Sequence, residues 1–178
     1  MLQYVQVVAV VVRCESMSVL SVSTQPTLLC AAIEPTAMMQ LQTWRYDGVM
    51  ARYTFSSDPF EQQWVCRPKS GYWQVRNSTN DLVGFAVIGS SAQTAGIAYP
   101  LEAVDLLVGL RPDLIGQKQG YSLVRDVVAH AQAIQPNKRL RVSIPSWHLA
   151  ALAVWQRAGF FPEYAAIAAD GTPVVVLL

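Results

Sequence analysis

The stretch Asp105-Leu-Leu-Val-Gly-Leu-Arg-Pro-Asp-Leu-Ile-Gly116-Gln-Lys-Gln-Gly120-Tyr-Ser-Leu-Val joins three things that together can hold an anion. An apolar run suited to a strand ends at Arg111-Pro112. A short loop with Gly116 and Gly120 follows, and a pattern of helical period starts at once. The first turn of a helix has backbone N–H groups without intrahelical partners, and the macrodipole adds partial positive charge there. A phosphate or pyrophosphate is the usual guest. The loop is too short for a P-loop, has no Lys-Ser/Thr pair closing it, and lacks the dinucleotide fingerprint, so it does not read as an NTPase. On spacing alone, a strand–turn–helix corner with two glycines also serves as plain chain reversal.

Pro112-Asp-Leu-Ile-Gly116-Gln-Lys-Gln-Gly120-Tyr-Ser-Leu resembles the acetyl-CoA loop of the GCN5-related N-acetyltransferase (GNAT) family, which typically reads Pro-(Asp/Glu)-x-x-Gly-x-Gly-x-Gly-x-x-Leu. Further along, Leu149-Ala-Ala-Leu-Ala-Val-Trp155-Gln-Arg-Ala158-Gly159-Phe160 is similar to the family's second landmark, a helix ending in (Lys/Arg)-x-Gly-Phe. Upstream, Trp44-Arg-Tyr46-Asp-Gly and Asp81-Leu-Val-Gly84-Phe85-Ala-Val-Ile-Gly89 resemble a bacterial subgroup with a Trp-x-Tyr motif and a Val-Gly-Phe strand. The resemblance implies a single-domain α/β protein (α+β mixed sheet) of acyl-CoA N-acyltransferase fold, with helices on both faces of the sheet. It implies transfer of an acetyl group from acetyl-CoA, a co-substrate, to a small amine in a ternary complex. A non-catalytic acyl-CoA-binding or interaction domain on the same fold is the alternative, and a purely structural oligomer-forming domain is a third reading.

Acetyl transfer from a thioester needs the cofactor gripped, the carbonyl polarised, the amine deprotonated and the thiolate protonated. By position in the family pattern, Val108 and Leu110 would pair with the pantetheine arm. Gly116, Gln117, Lys118, Gln119, Gly120 and Tyr121 would cradle the pyrophosphate, and the Leu110 N–H would polarise the carbonyl. Lys118 stands where the family usually has glycine, which favours positive φ and close backbone approach. Trp155 stands where the family often has a tyrosine as thiolate acid. An indole N–H donates a hydrogen bond but no proton near neutral pH, so Trp155 reads as packing. His148 replaces an asparagine and could shuttle a proton. Asp105, or Glu102 just before it, is the candidate base. Among the aromatics, Tyr46 and Tyr53 are expected in an acceptor pocket, because a phenol tip wants a polar partner, while Trp44 and Trp73 read as core.

Composition bounds these readings. The 178 residues fit one domain, with 1–23 expected as an added strand or arm and 24–178 as the acetyltransferase-like unit. A net charge of +1 with no basic run argues against a nucleic-acid partner. Charged residues are 14%, below the ~25% of an average domain, and 52% are apolar, which favours a homodimer. Three scattered cysteines support neither a disulfide scaffold nor a metal site and suit a reduced, cytoplasmic setting. The run Val5–Val12 is too short to span a membrane and reads as a strand.

The remaining elements follow from period and punctuation. Strands are expected at 27–32, 50–55, 72–76, 82–88, 103–110, 140–144, 164–168 and 174–177. Residues 56–69 read as loop with a helical turn. Helices are expected at 35–44, across the stripe Leu123, Val124, Val127, Val128, Ala131 and Ile134, and at 147–157 before Gly159.

Overall fold

Leu82–Ile88 forms strand β3, buried at all seven positions, as an unbroken apolar run requires when both faces of a strand are covered. The computed structural model of the chain describes residues 28–178. The strand expected in Val5–Val12 and the extent of the N-terminal extension lie outside the described residues. β3 pairs antiparallel with β2 (Tyr72–Arg76) and with β4 (Val104–Leu110). β1 (Leu29–Ala32) lies beyond β2. β5 (Leu140–Pro145) runs parallel to β4, and β7 (Pro173–Leu177) and β6 (Pro162–Ile167) complete a seven-stranded sheet of order β1-β2-β3-β4-β5-β7-β6.

Helices cover both faces. α1 (Pro35–Leu41) and α2 (Pro59–Val65) bury Ala37, Met38, Leu41 and Val65 against Phe85 and Val87. On the other face α3 (Gly120–Ile134) sets Leu123 and Val127 against Val83 and Ala86, and α4 (Leu149–Arg157) sets Trp155 among Leu106, Val142 and Ile144. The β2–β3 hairpin turns where Asn77 Oδ1 accepts from the N–H groups of Thr79 (3.1 Å) and Asp81 (2.8 Å).

Two expectations are corrected. Residues 50–55 are not a strand, because Gly48–Tyr53 winds into a 3₁₀ helix. Met50 and Tyr53, three residues apart, turn inward while Ala51 and Arg52 stay exposed, a period of three rather than two. Within 56–69 the helix is longer than one turn: Asp58 caps α2 by accepting from the Phe60 N–H (2.9 Å), and Pro59 opens it. No helix among the described residues is long and apolar enough to cross a membrane.

Candidate functional site

Strand β4 changes character halfway along. Val104, Asp105 and Leu106 pair with Leu140, Arg141 and Val142 of β5, and there the pairing stops although both strands continue. Bonded pairs alternate in an antiparallel ladder. The Arg111 N–H donates to Val83 O (2.9 Å) and the Gly89 N–H to Asp105 O (2.8 Å), so odd-numbered residues of β4 bond to β3. Even-numbered residues face the other way, as Val104 does in donating to Arg139 O (2.8 Å). Past the fork, Val108 and Leu110 therefore direct their backbone groups into a cavity of about 420 Å³ between β4 and β5.

The glycine loop closes the wide end of that cavity. A 3₁₀ turn at Pro112–Leu114 and the Arg111–Asp113 ion pair (2.7 Å) fix its start. Gly116 has φ 83° and Lys118 φ 61°. Lys118 thus adopts the left-handed conformation that glycine reaches without cost. α3 begins at Gly120 with no side-chain cap on its first turn. Gly116, Lys118, Gln119 and Gly120 line the cavity, whereas Gln117 and Tyr121 do not. The Gln117 amide donates to Asp113 O (2.6 Å), and the Tyr121 ring lies 4.2 Å from the Arg157 guanidinium carbon.

On the α1 side the wall is aromatic and apolar: Tyr46, Met50, Tyr53, Phe85 and Leu107. The two tyrosines named from sequence come together here. Tyr46 donates to Leu110 O (2.9 Å), and burial pushes its phenol up to about 12. Burial also raises Tyr53. Gly109 makes room for this wall, since a β-carbon there would stand 2.0 Å from the Phe85 ring. Trp44 packs on Phe85 in the core, in line with its reading as a core residue, whereas Trp73 is half-buried at the edge of the core and packs edge-on against His130.

Asp105 does not reach the cavity, which corrects its candidacy as a base. Its side chain is buried in a bidentate pair with Arg141 (Nε–Oδ1 2.6 Å, Nη2–Oδ2 2.8 Å), and Oδ2 also accepts from Gln93 Nε2 (2.9 Å). Glu102 is exposed and paired with Lys138. His148 does line the cavity, just before α4, and burial lowers its imidazole pKa. Trp155 is 3% exposed, lines the cavity and meets Phe160 edge-on at 4.8 Å.

Two polar residues went unnoticed in the sequence. Ser143 lines the cavity on β5, and its Oγ lies 2.9 Å from the Tyr99 hydroxyl. Tyr99 accepts from the Thr94 N–H (3.0 Å), and the Arg141 guanidinium sits 4.2 Å from its ring centroid. The alternation Arg141, Ser143 along a strand gave a faint hint of a shared face. Nothing local marked Tyr99, which comes from an irregular segment.

No family model matches the chain, and no curated protein matches it. Solved structures do. A chimera of spermidine N-acetyltransferase SpeG from Vibrio cholerae and hSSAT aligns at TM-score 0.65 with 14% identity over 85% of this chain and 93% of that one. A GNAT-family acetyltransferase from Bacillus anthracis aligns at TM-score 0.65 with 12% identity over 85% and 93%. Spermidine N-acetyltransferase from Vibrio cholerae in complex with CoA and spermine aligns at 0.61 with 13% identity over 86% and 95%. With its mixed sheet forked between β4 and β5, this chain has the fold of the GNAT-family acetyltransferases.

Proposed function

We propose that the chain is a GNAT-family N-acetyltransferase that moves an acetyl group from acetyl-CoA to a small amine within a ternary complex. The observation that carries this reading is the unpaired edge of β4 leading directly to the uncapped start of α3. An extended arm bearing amide groups can pair with Val108 and Leu110 as a missing strand would, while its pyrophosphate rests on the α3 N-terminus. Gly116, Lys118, Gln119 and Gly120, which line the cavity, supply that end through the backbone.

The direction of the arm follows. The pyrophosphate end lies after Leu110, so the thioester lies towards the fork. Leu110 O already accepts from Tyr46. The Val108 N–H, nearer the fork, is therefore the better placed donor to the thioester carbonyl, and the Leu110 N–H holds the arm. Tyr46 and Tyr53 flank the acceptor, whose apolar body would rest on Met50, Phe85 and Leu107. His148, biased to the neutral form because burial lowers its pKa, is suited to accept the amine proton rather than to supply one.

Two measurements test the reading. Acetyl-CoA at about 100 times its Kd should stabilise the fold by about 2.7 kcal/mol. Free thiol should then appear with one or more members of a panel of small amines. No thermal shift at millimolar acetyl-CoA, with no heat on titration, removes the assignment. Binding without thiol release from any amine favours the non-catalytic acyl-CoA-binding reading, for which the indole of Trp155 in the cavity wall is the structural argument.

A further inference from the structure

We propose that Ser143, backed by Tyr99, delivers the proton to the sulfur that leaves the acetyl group. The proposal rests on the acetyl-transfer reading and assigns a step that reading leaves open. Trp155 can hydrogen-bond but cannot supply a proton. The Tyr46 proton is committed to Leu110 O, and burial makes that phenol a poorer acid. His148 is biased to the neutral form. One hydroxyl on the cavity wall has a different connection.

Ser143 directly follows Val142, the last β5 residue paired with β4, so it stands at the apex of the fork, where the thioester end of the arm arrives. Its Oγ is 2.9 Å from the Tyr99 hydroxyl. Tyr99 already accepts the Thr94 N–H, so its own proton is available to Ser143, and the Ser143 proton is then available to the cavity. The groups around this pair are Arg141 on β5, Asp105 on β4, Tyr164 on β6, and His148, which lines the same cavity just beyond the end of β5. The Arg141 charge is held by Asp105 and by Leu101 O (2.7 Å), with its guanidinium beside the Tyr99 ring. Tyr164 donates to Ala98 O (3.1 Å), one residue before Tyr99, and so helps hold that segment.

The step balances. As the amine nitrogen bonds to the acyl carbon, the carbon–sulfur bond breaks and its electron pair leaves on sulfur. Sulfur takes the Ser143 proton and Ser143 takes the Tyr99 proton. Tyr99, beside the Arg141 cation in the interval, regains a proton from solvent, to which His148 passes the one it took from the amine.

The test combines kinetics with a binding readout that needs no turnover. Ser143→Ala should lower kcat by about 10²-fold with KM for acetyl-CoA unchanged, Ser143→Thr should keep most of the rate, and Tyr99→Phe should fall between them. In calorimetric titrations across the thiol pKa of about 8.5, wild-type affinity for CoA should rise with pH relative to acetyl-CoA, which has no thiol. A donor at the sulfur favours the thiolate, so Ser143→Ala should abolish that rise. A Ser143→Ala protein that keeps kcat within about twofold of wild type, or keeps the pH-dependent preference for CoA, overturns the proposal. If wild type acetylates no amine but shows the preference and Ser143→Ala loses it, the sulfur contact stands and the transfer reading fails.

Discussion

The two halves of β4 have the same neighbours in sequence and opposite fates. Val104–Leu106 is paired with β5, Leu106 and Asp105 are also held on the other edge by β3 and the Gly89 N–H, and the one polar side chain is locked in a buried ion pair. Leu107–Leu110 is paired only with β3 and opens its other edge to the cavity. A buried ion pair is weak evidence for net stability, because desolvation offsets much of the attraction. Here it joins β4 to β5 one position before the two strands part. The closed half therefore fixes where the fork begins, and the open half exposes backbone groups to a ligand.

Removing one partner of the closed half should have the largest effect. Asp105→Ala leaves the Arg141 charge buried and should cost about 3–5 kcal/mol in a denaturant titration. The double variant Asp105→Leu with Arg141→Leu should recover much of that loss. If Asp105→Ala is no less stable than wild type, the pair does not hold the fork. In the open half, Gly109→Ala forces a β-carbon towards Phe85 and should cost about 1–3 kcal/mol while disturbing the acceptor wall.

Lys118 offers a finer test, because the loop already has the dihedral that glycine favours. Lys118→Gly should tighten acetyl-CoA by up to about fivefold, or ~1 kcal/mol, and Lys118→Ala should not. Weaker binding in the glycine variant, with a wild-type advantage that shrinks with salt, would instead mark Lys118 as a phosphate ligand.

The smallest effect separates two histidines. Burial lowers the pKa of both His130 and His148. The unfolded chain therefore takes up protons first as pH falls below about 6.5, so stability is level above that pH and declines through the lower folded values. His130→Phe should flatten the decline in Tm. In an NMR titration, acetyl-CoA should move the His148 signal, which belongs to the open half, and leave His130 in place beside Trp73. Equal shifts at both would mean that the ligand acts on the whole sheet.

The sequence was most informative where the signal is local. The alternation and turn residues around Asn77–Asp81 placed the β2–β3 hairpin with its bounds, and the apolar stripe placed α3. The loop leading to α3 also located the cavity. Residues 48–53 misled because Met50 and Tyr53 suit a strand as well as a 3₁₀ turn, and only packing against the core decides between them. Asp105 looked available for the same reason: its partner Arg141 lies on another strand. Tyr99 and Ser143 meet across 44 positions of chain, a contact that no local pattern carries.

An unpaired strand edge is ordinarily a hazard, because a strand from another molecule can add to it and begin aggregation. The edge of Val108–Leu110 escapes that risk by its place inside the sheet. It faces β5 across the fork, with α3 and α4 behind and the aromatic wall in front. A thin, flexible thread can lie along it. A second polypeptide strand, with side chains projecting to both faces, meets walls on either side, so the chain keeps a binding edge without a self-association edge at the same place.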